Sequence, residues 1–216
     1  MSDFRIVPAP ASPAPSDGAS DGNPVGTASF GAPSFGTADL LPFLVLVDGW
    51  SLDSPSAGEE PVLAGPLARY VTDWGREGDL AVLGYSVPEE GENDSAAPTT
   101  ERSAEPTAEG PATSSAEAPV GAAWIRRLPA EEAGAGWVSA DVPELLVAVH
   151  PEHQGEGLGR KLVQTLLGLA KLTGVEAVSL AVDEANGALA LFEKLGFASI
   201  GRGGHDEVLM LRSLTD

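Results

Sequence analysis

The chain has 216 residues, suited to one domain or one domain with insertions, and no cysteine, so disulfide frameworks, cysteine zinc sites and thiol nucleophiles are excluded. Its 43% hydrophobic content suffices for a core, while 32 acidic against 12 basic residues give a formal charge of −20. That field repels nucleic-acid phosphate and anionic lipid and favours cationic, amine-bearing partners. With no apolar run of membrane-spanning length and no basic-then-apolar leader in Met1 to Val7, the expectation is a cytoplasmic protein without nucleic-acid or membrane partners.

Phe4 to Val7 reads as a first strand closed by Pro8, because proline cannot donate to a ladder. Residues 9–36 are Pro, Ala, Ser and Gly with few large side chains, the composition of a disordered insertion. Asp39 then reads as an N-cap, with Pro42 in a first turn and an apolar helix from Leu40 to Trp50. A second helix is predicted over Leu63 to Arg76, with Leu67, Tyr70, Val71 and Trp74 on one face. Leu80 to Val87 and Val120 to Arg127 read as two strands of an antiparallel hairpin. Residues 88–119, rich in Glu, Ala, Ser, Thr and Pro, replace its turn as a second disordered insertion. Loop closure costs only logarithmically in length, so the pairing survives it, and a single domain spans residues 1–216.

Trp137 to Val142 is read as a backward extension of a central strand, with Pro143 as a break. Leu145 to Val149 is a buried strand. It is followed by Pro151 and then a loop in which Gly155, Gly157 and Gly159 alternate. Leu158, Leu162, Val163, Leu166, Leu169 and Ala170 recur at helical spacing. Ala177 to Val182 is a further strand, Asn186 to Leu195 a short helix closed by Gly196, and Phe197 to Ile200 with Val208 to Leu211 two closing strands. The order gives an α/β domain with a central, mostly antiparallel mixed sheet flanked by helices.

Free N–H groups at a glycine-rich helix start, with the positive end of the helix dipole behind them, make an anion site. Gly159 is followed by Arg160 and Lys161, so no Walker loop is present, and a dinucleotide fingerprint counted from Gly155 meets Arg160 at its sixth position. What fits is Gln-x-x-Gly-x-Gly, from Gln154 through Gly157 to Gly159. This resembles the acyl-CoA pyrophosphate loop of the GNAT superfamily of N-acetyltransferases. Ala188 to Phe197 likewise resembles that family's helix motif Ala-x-x-Leu-Tyr-Glu-Lys-x-Gly-Phe. The resemblance covers Val120 to Leu211 well.

The resemblance implies a GNAT-like fold in which two neighbouring strands splay apart around acetyl-CoA, the expected cosubstrate, with no metal. It implies that the backbone of Val147, Ala148 and Val149 meets the pantetheine arm. The pyrophosphate would sit on Gln154, Gly155, Glu156, Gly157, Leu158, Gly159 and Arg160. Two departures stand out. Phe192 occupies the position at which the family often uses tyrosine as an acid. The family's cofactor-contacting asparagine falls on Ala185, with Asn186 one residue late and equally readable as a helix N-cap.

Direct attack of an amine on a thioester requires removal of an ammonium proton, since such amines have pKa values of about 8 to 10.4. Glu144, opening the central strand, is the candidate catalytic base, ahead of Asp141, Asp183 and Glu184. His150 and His153 fall in the family's non-catalytic loop. The expected activity is N-acetyl transfer to a primary amine, small-molecule or peptidic, with a homodimer admitted. The alternative is a CoA-binding regulatory module with weak or no catalysis.

Overall fold

The structure, a computed structural model, describes residues 3–10, 35–48, 59–87, 118–203 and 206–215. Apart from 9–10, 35–36 and 118–119, the two expected insertions lie outside the described residues, as do Trp50 and His205.

Among the described residues, seven strands form one sheet: β1 (Asp3–Pro10), β2 (Leu80–Val87), β3 (Gly121–Arg126), β4 (Glu144–Val149), β5 (Ala177–Asp183), β6 (Ala198–Arg202) and β7 (Glu207–Ser213). Their spatial order is β1-β2-β3-β4-β5-β7-β6, and every neighbouring pair is antiparallel except β4 and β5. The strand predicted at Leu80 to Val87 has those bounds. Its pairing with β3 runs from Leu80↔Ile125 to Gly84↔Gly121, the hairpin expected across the long insertion.

Among the described residues, four α-helices flank the sheet: α1 (Thr37–Asp48), α2 (Glu59–Ala64), α3 (Leu158–Leu172) and α4 (Leu189–Lys194). Alternation along each strand divides the core into two layers. On one face, Leu158, Leu162, Val163 and Leu166 of α3 pack against Val82, Ala123, Ile125 and Leu145, joined by Phe192 and Met210. On the other, Leu40 and Leu44 of α1 meet Tyr70, Val71, Trp74, Leu83 and Trp124. Two strand glycines set how closely α3 approaches. A Cβ at Gly84 would lie 2.8 Å from Leu158 Cδ1, and one at Gly121 would lie 3.0 Å from Leu162 Cδ1.

Several elements depart from the sequence reading. β1 continues through Pro8 to Pro10, which an edge strand permits because its outer N–H positions need no partner. α1 begins at Thr37, ahead of Asp39. The Asp39 carboxylate reaches back to accept the Gly36 N–H at 2.8 Å, half of a capping box rather than an N-cap. Pro42 therefore stands inside the helix. The helix predicted over Leu63 to Arg76 is broken into α2 and a 3-10 turn at Pro66–Tyr70, since Pro66 disfavours helical backbone at Gly65. Trp137 to Val142 holds turns, not strand, and β4 starts after Pro143. α4 begins at Leu189, and Gly196 ends it at φ +83°, the left-handed cap expected there.

Candidate active site

β4 and β5 share one register pair, Glu144↔Ser179, whereas β4 is paired with β3 along its whole length. The two parallel strands therefore splay from a vertex at Glu144. His150 N–H donates to Val120 O at 2.8 Å, which fixes the alternation of β4: even-numbered residues turn their main chain to β3 and odd-numbered ones away from it. Pro143 O, accepting Ser179 N–H at 3.1 Å, obeys the same rule on the β5 side. Val147 and Val149 thus present main-chain groups to the gap, with the Val149 carbonyl capped by Gln154 Nε2 at 3.1 Å. Ala148, expected to share that role, is opposite Ala122 and spends its main chain on β3.

The glycine-rich loop lies at the open end of the splay. Gly155 and Gly157 hold φ of +78° and +87°, where a side chain strains the backbone. Gly157 precedes α3 with no side-chain cap. Among the described residues, no protein group accepts the N–H of Gly155, Gly157, Leu158, Gly159 or Arg160. Arg160 is exposed on the first helical turn. Such a cluster of open amides on a helix start suits an anion. The loop is braced from below: Phe4 of β1 meets His153 edge to face at 6.0 Å, and Lys161 Nζ lies 5.5 Å over the same Phe4 ring. His153 Nδ1 faces Glu156 Oε2 at 3.3 Å.

Polar groups converge at the other end. Asp79, Arg126, Glu144 and Ser179 are the buried polar and charged residues among those described. Arg126, Glu144 and Ser179 stand on one rung across β3, β4 and β5 and on one face. Arg126 is fully satisfied. It donates to Asp79 at 3.0 Å and 2.6 Å and to the carbonyls of Arg69, Thr72 and Asp73 at 2.9, 2.6 and 3.1 Å, with its guanidinium 5.2 Å over Trp74. This knot ties the end of the 3-10 turn to the sheet and so positions Tyr70.

The Tyr70 hydroxyl donates to Glu144 Oε2. Glu144 Oε1 and Ser179 Oγ are buried and meet no protein partner among the described residues. Burial pushes the Glu144 carboxyl above its usual range; the Tyr70 hydrogen bond and the Arg69 charge pull it back, and Glu207 adds to the rise. Burial, then the neighbouring Glu144 charge, raise Tyr70 far above the ordinary phenol range, so Tyr70 keeps its proton.

A segment ahead of β4 roofs this end. A Cβ at Gly134 would overlap the Tyr70 hydroxyl, and one at Gly136 would lie 2.8 Å from Ala181 N. Arg69 holds that segment through the carbonyls of Glu132, at 2.7 Å, and Ala133.

The other sequence candidates are placed elsewhere. His150 and His153 belong to the loop end of β4, roughly 20 Å along an extended strand from Glu144. Asp183 accepts the Ala185 N–H at 2.7 Å, and Glu184 pairs with Arg202 at 3.0 Å, both exposed. Asp141 lies in a turn, its carbonyl taking the Arg127 Nε–H at 3.3 Å. Asn186 closes a local turn by accepting the Ala188 N–H at 2.8 Å, two residues before the cap position Ala188 rather than at it. Phe192 is buried against Phe197 at 5.7 Å and has no polar atom to donate. Among the described residues no cluster of His, Asp and Glu could hold a metal ion, and no helix is long and apolar enough to cross a membrane.

An open mixed sheet with one parallel, splayed pair and an uncapped glycine-rich helix start at the mouth defines the class: a GNAT-type acyltransferase fold. The sequence profile of the Acetyltransferase (GNAT) family matches residues 68–197, and the chain belongs to that family. An acetyltransferase of the GNAT family from Staphylococcus aureus superposes with a TM-score of 0.54 at 12% identity, covering 99% of this chain and 100% of that one. The mycothiol acetyltransferase of Thermobispora bispora is 46% identical over 81 residues, 36% of this chain and 26% of its own length. The L-amino acid N-acyltransferase MnaT of Escherichia coli is 44% identical over 52 residues, 24% of this chain and 30% of its own. The chain thus spans about a quarter to a third of the curated relatives it matches.

Proposed function

We propose that this chain, read as one catalytic domain, transfers the acetyl group of acetyl-CoA to a primary amine by direct attack. The observation that carries the reading is the splay between β4 and β5, with unclaimed amides at its mouth and a buried carboxylate at its vertex. The pyrophosphate sits on the amides of Gly155, Gly157, Leu158, Gly159 and Arg160, with Gln154 and the Glu156 backbone completing the loop. The pantetheine arm pairs with the main chain of Val147 and Val149 and carries the thioester toward Glu144. The amine nitrogen attacks the thioester carbonyl, its proton passes to Glu144, the carbon–sulfur bond breaks, and CoA leaves as a thiolate. A thiol pKa of about 8.5 makes that leaving group tolerable without an acid, so solvent supplies the last proton, which Phe192 cannot.

The relatives' names, a mycothiol acetyltransferase and an L-amino acid N-acyltransferase, support a small amine as substrate. The test is thiol release from acetyl-CoA across a panel of amines, with Glu144→Gln alongside. Turnover with at least one amine, lost in Glu144→Gln, is the expected result; no turnover with any amine overturns the proposal. A second reading has its own support. Glu144 is only 2% exposed and roofed by Gly134, and Phe192 cannot act as an acid, features that suit a CoA-binding module without catalysis. CoA binding by calorimetry without turnover selects it.

A further inference from the structure

Glu144 has two carboxylate oxygens in different surroundings. Oε2 accepts from the Tyr70 hydroxyl; Oε1 is buried with no protein partner among the described residues. Tyr70 comes from a 3-10 turn distant in sequence from β4 and is held there by the Arg126 knot on one side and the Arg69 crosslink on the other. Gly134 leaves room for the pair and for nothing larger. We infer that Tyr70 is a positioning residue for acetyl transfer: its hydroxyl holds the Glu144 carboxylate by Oε2, so that Oε1 alone faces the vertex and takes the proton of the attacking amine. This rests on Glu144 being the base.

Proton balance decides between positioning and relay. In a relay Tyr70 would give up its proton and recover it in each cycle. The hydroxyl here stays protonated throughout the working range, because burial and the adjacent carboxylate both oppose its ionisation. Tyr70 therefore remains a donor before and after transfer, and the amine proton ends on Glu144 Oε1. The donated hydrogen bond also stabilises the ionised carboxylate, keeping the base from being neutralised by its own burial. Four other charged groups near the carboxylate stand among the described residues. Arg69 on the 3-10 turn favours ionisation, Glu207 on β7 opposes it, Arg126 on β3 is neutralised by Asp79, and Glu132 on the roofing segment faces Arg76 at 3.3 Å.

The experiment is the pH dependence of kcat/KM for the full chain and Tyr70→Phe, with KM for acetyl-CoA measured in parallel. Loss of the hydrogen bond raises the proton affinity of Glu144. The acid limb of the profile is expected to move up by about one pH unit, giving about a tenfold loss on that limb and recovery on the plateau. KM for acetyl-CoA stays within about twofold, as expected for a residue that meets the base and the core but not the loop amides. A uniform loss at every pH, or an unmoved limb, overturns the inference.

A second measurement serves if Tyr70→Phe does not fold. The chain has 2 tyrosines, so fluorotyrosine incorporation in a Tyr85→Phe background labels position 70 alone. Its fluorine resonance is expected to titrate at the midpoint of the acid limb and to lose that titration in Glu144→Gln; a flat resonance through the limb contradicts the inference. Glu144→Gln separates the two claims. Full activity in Glu144→Gln removes the base and this inference with it, whereas an inactive Glu144→Gln with an unmoved limb in Tyr70→Phe removes only the role of Tyr70.

Discussion

At the scale of single residues, the vertex rests on groups whose worth depends on their partners. Arg126 and Asp79 are both buried, and each satisfies the other. Arg126→Ala leaves the Asp79 carboxylate buried without its countercharge, held only by the Gly75 and Arg76 N–H groups, and frees three carbonyls, so urea denaturation is expected to show a loss of about 3 to 5 kcal/mol. Arg126→Lys recovers little of it, since an ammonium cannot reproduce the fork. Ser179→Ala is the contrasting case: Ser179 Oγ has no protein partner, and its removal is expected to leave stability within about 0.5 kcal/mol.

The pH dependence of Glu144 has a definite sign. Its folded carboxyl binds a proton more tightly than the unfolded one, so between the ordinary carboxylate range and the raised folded value the native state holds more protons. The Glu144 contribution to wild-type stability therefore falls as pH rises through that window and is flat above it. Glu144→Gln lacks this fall, so its stability relative to wild type should rise across the window and hold at neutral pH. Thermal denaturation of both proteins as a function of pH reads the difference; a constant offset contradicts it.

Elements carry the next level. Gly157 must adopt φ +87°, yet a Cβ there meets no protein atom within 4 Å. Gly157→Ala is expected to cost about 1 kcal/mol in stability, from backbone strain alone. It should weaken CoA binding about tenfold or more, because the added methyl enters the space in front of the amides. Unchanged CoA affinity by calorimetry would mean that the ligand does not use this loop. The glycines, the uncapped helix start and the apolar stripe of α3 are all local in sequence, which is why this part of the site is legible there. The vertex is not. Tyr70 and Glu144 are 74 positions apart and Arg126 and Asp79 are 47 apart, so no periodicity links them. A single helix over Leu63 to Arg76 assigns Tyr70 only to the core, and the break at Gly65 and Pro66 is what turns it toward Glu144. The charged Arg126 ending an otherwise apolar strand, and Gly134 and Gly136 ahead of β4, were the signals available. The main-chain alternation that sends Ala148 to β3 needs the strand register, which composition does not contain.

Across the whole molecule, seven strands hold two cores back to back, and the one parallel junction between β4 and β5 is where the sheet opens. The −20 charge sets the long-range field around that opening. Self-repulsion weakens with screening, so the melting temperature is expected to rise as ionic strength goes from about 0.01 to 0.15 M, where the Debye length falls from about 30 to 8 Å. On the proposed reading, local amides and Arg160 hold a polyanion against the field of the whole chain. An amide-resolved NMR titration with CoA tests this most directly. Binding should shift the N–H resonances of Gly155, Gly157, Leu158, Gly159, Arg160 and Val147 together, saturating at one equivalent. Saturation that leaves those amides unmoved, or no binding at millimolar CoA, contradicts the account.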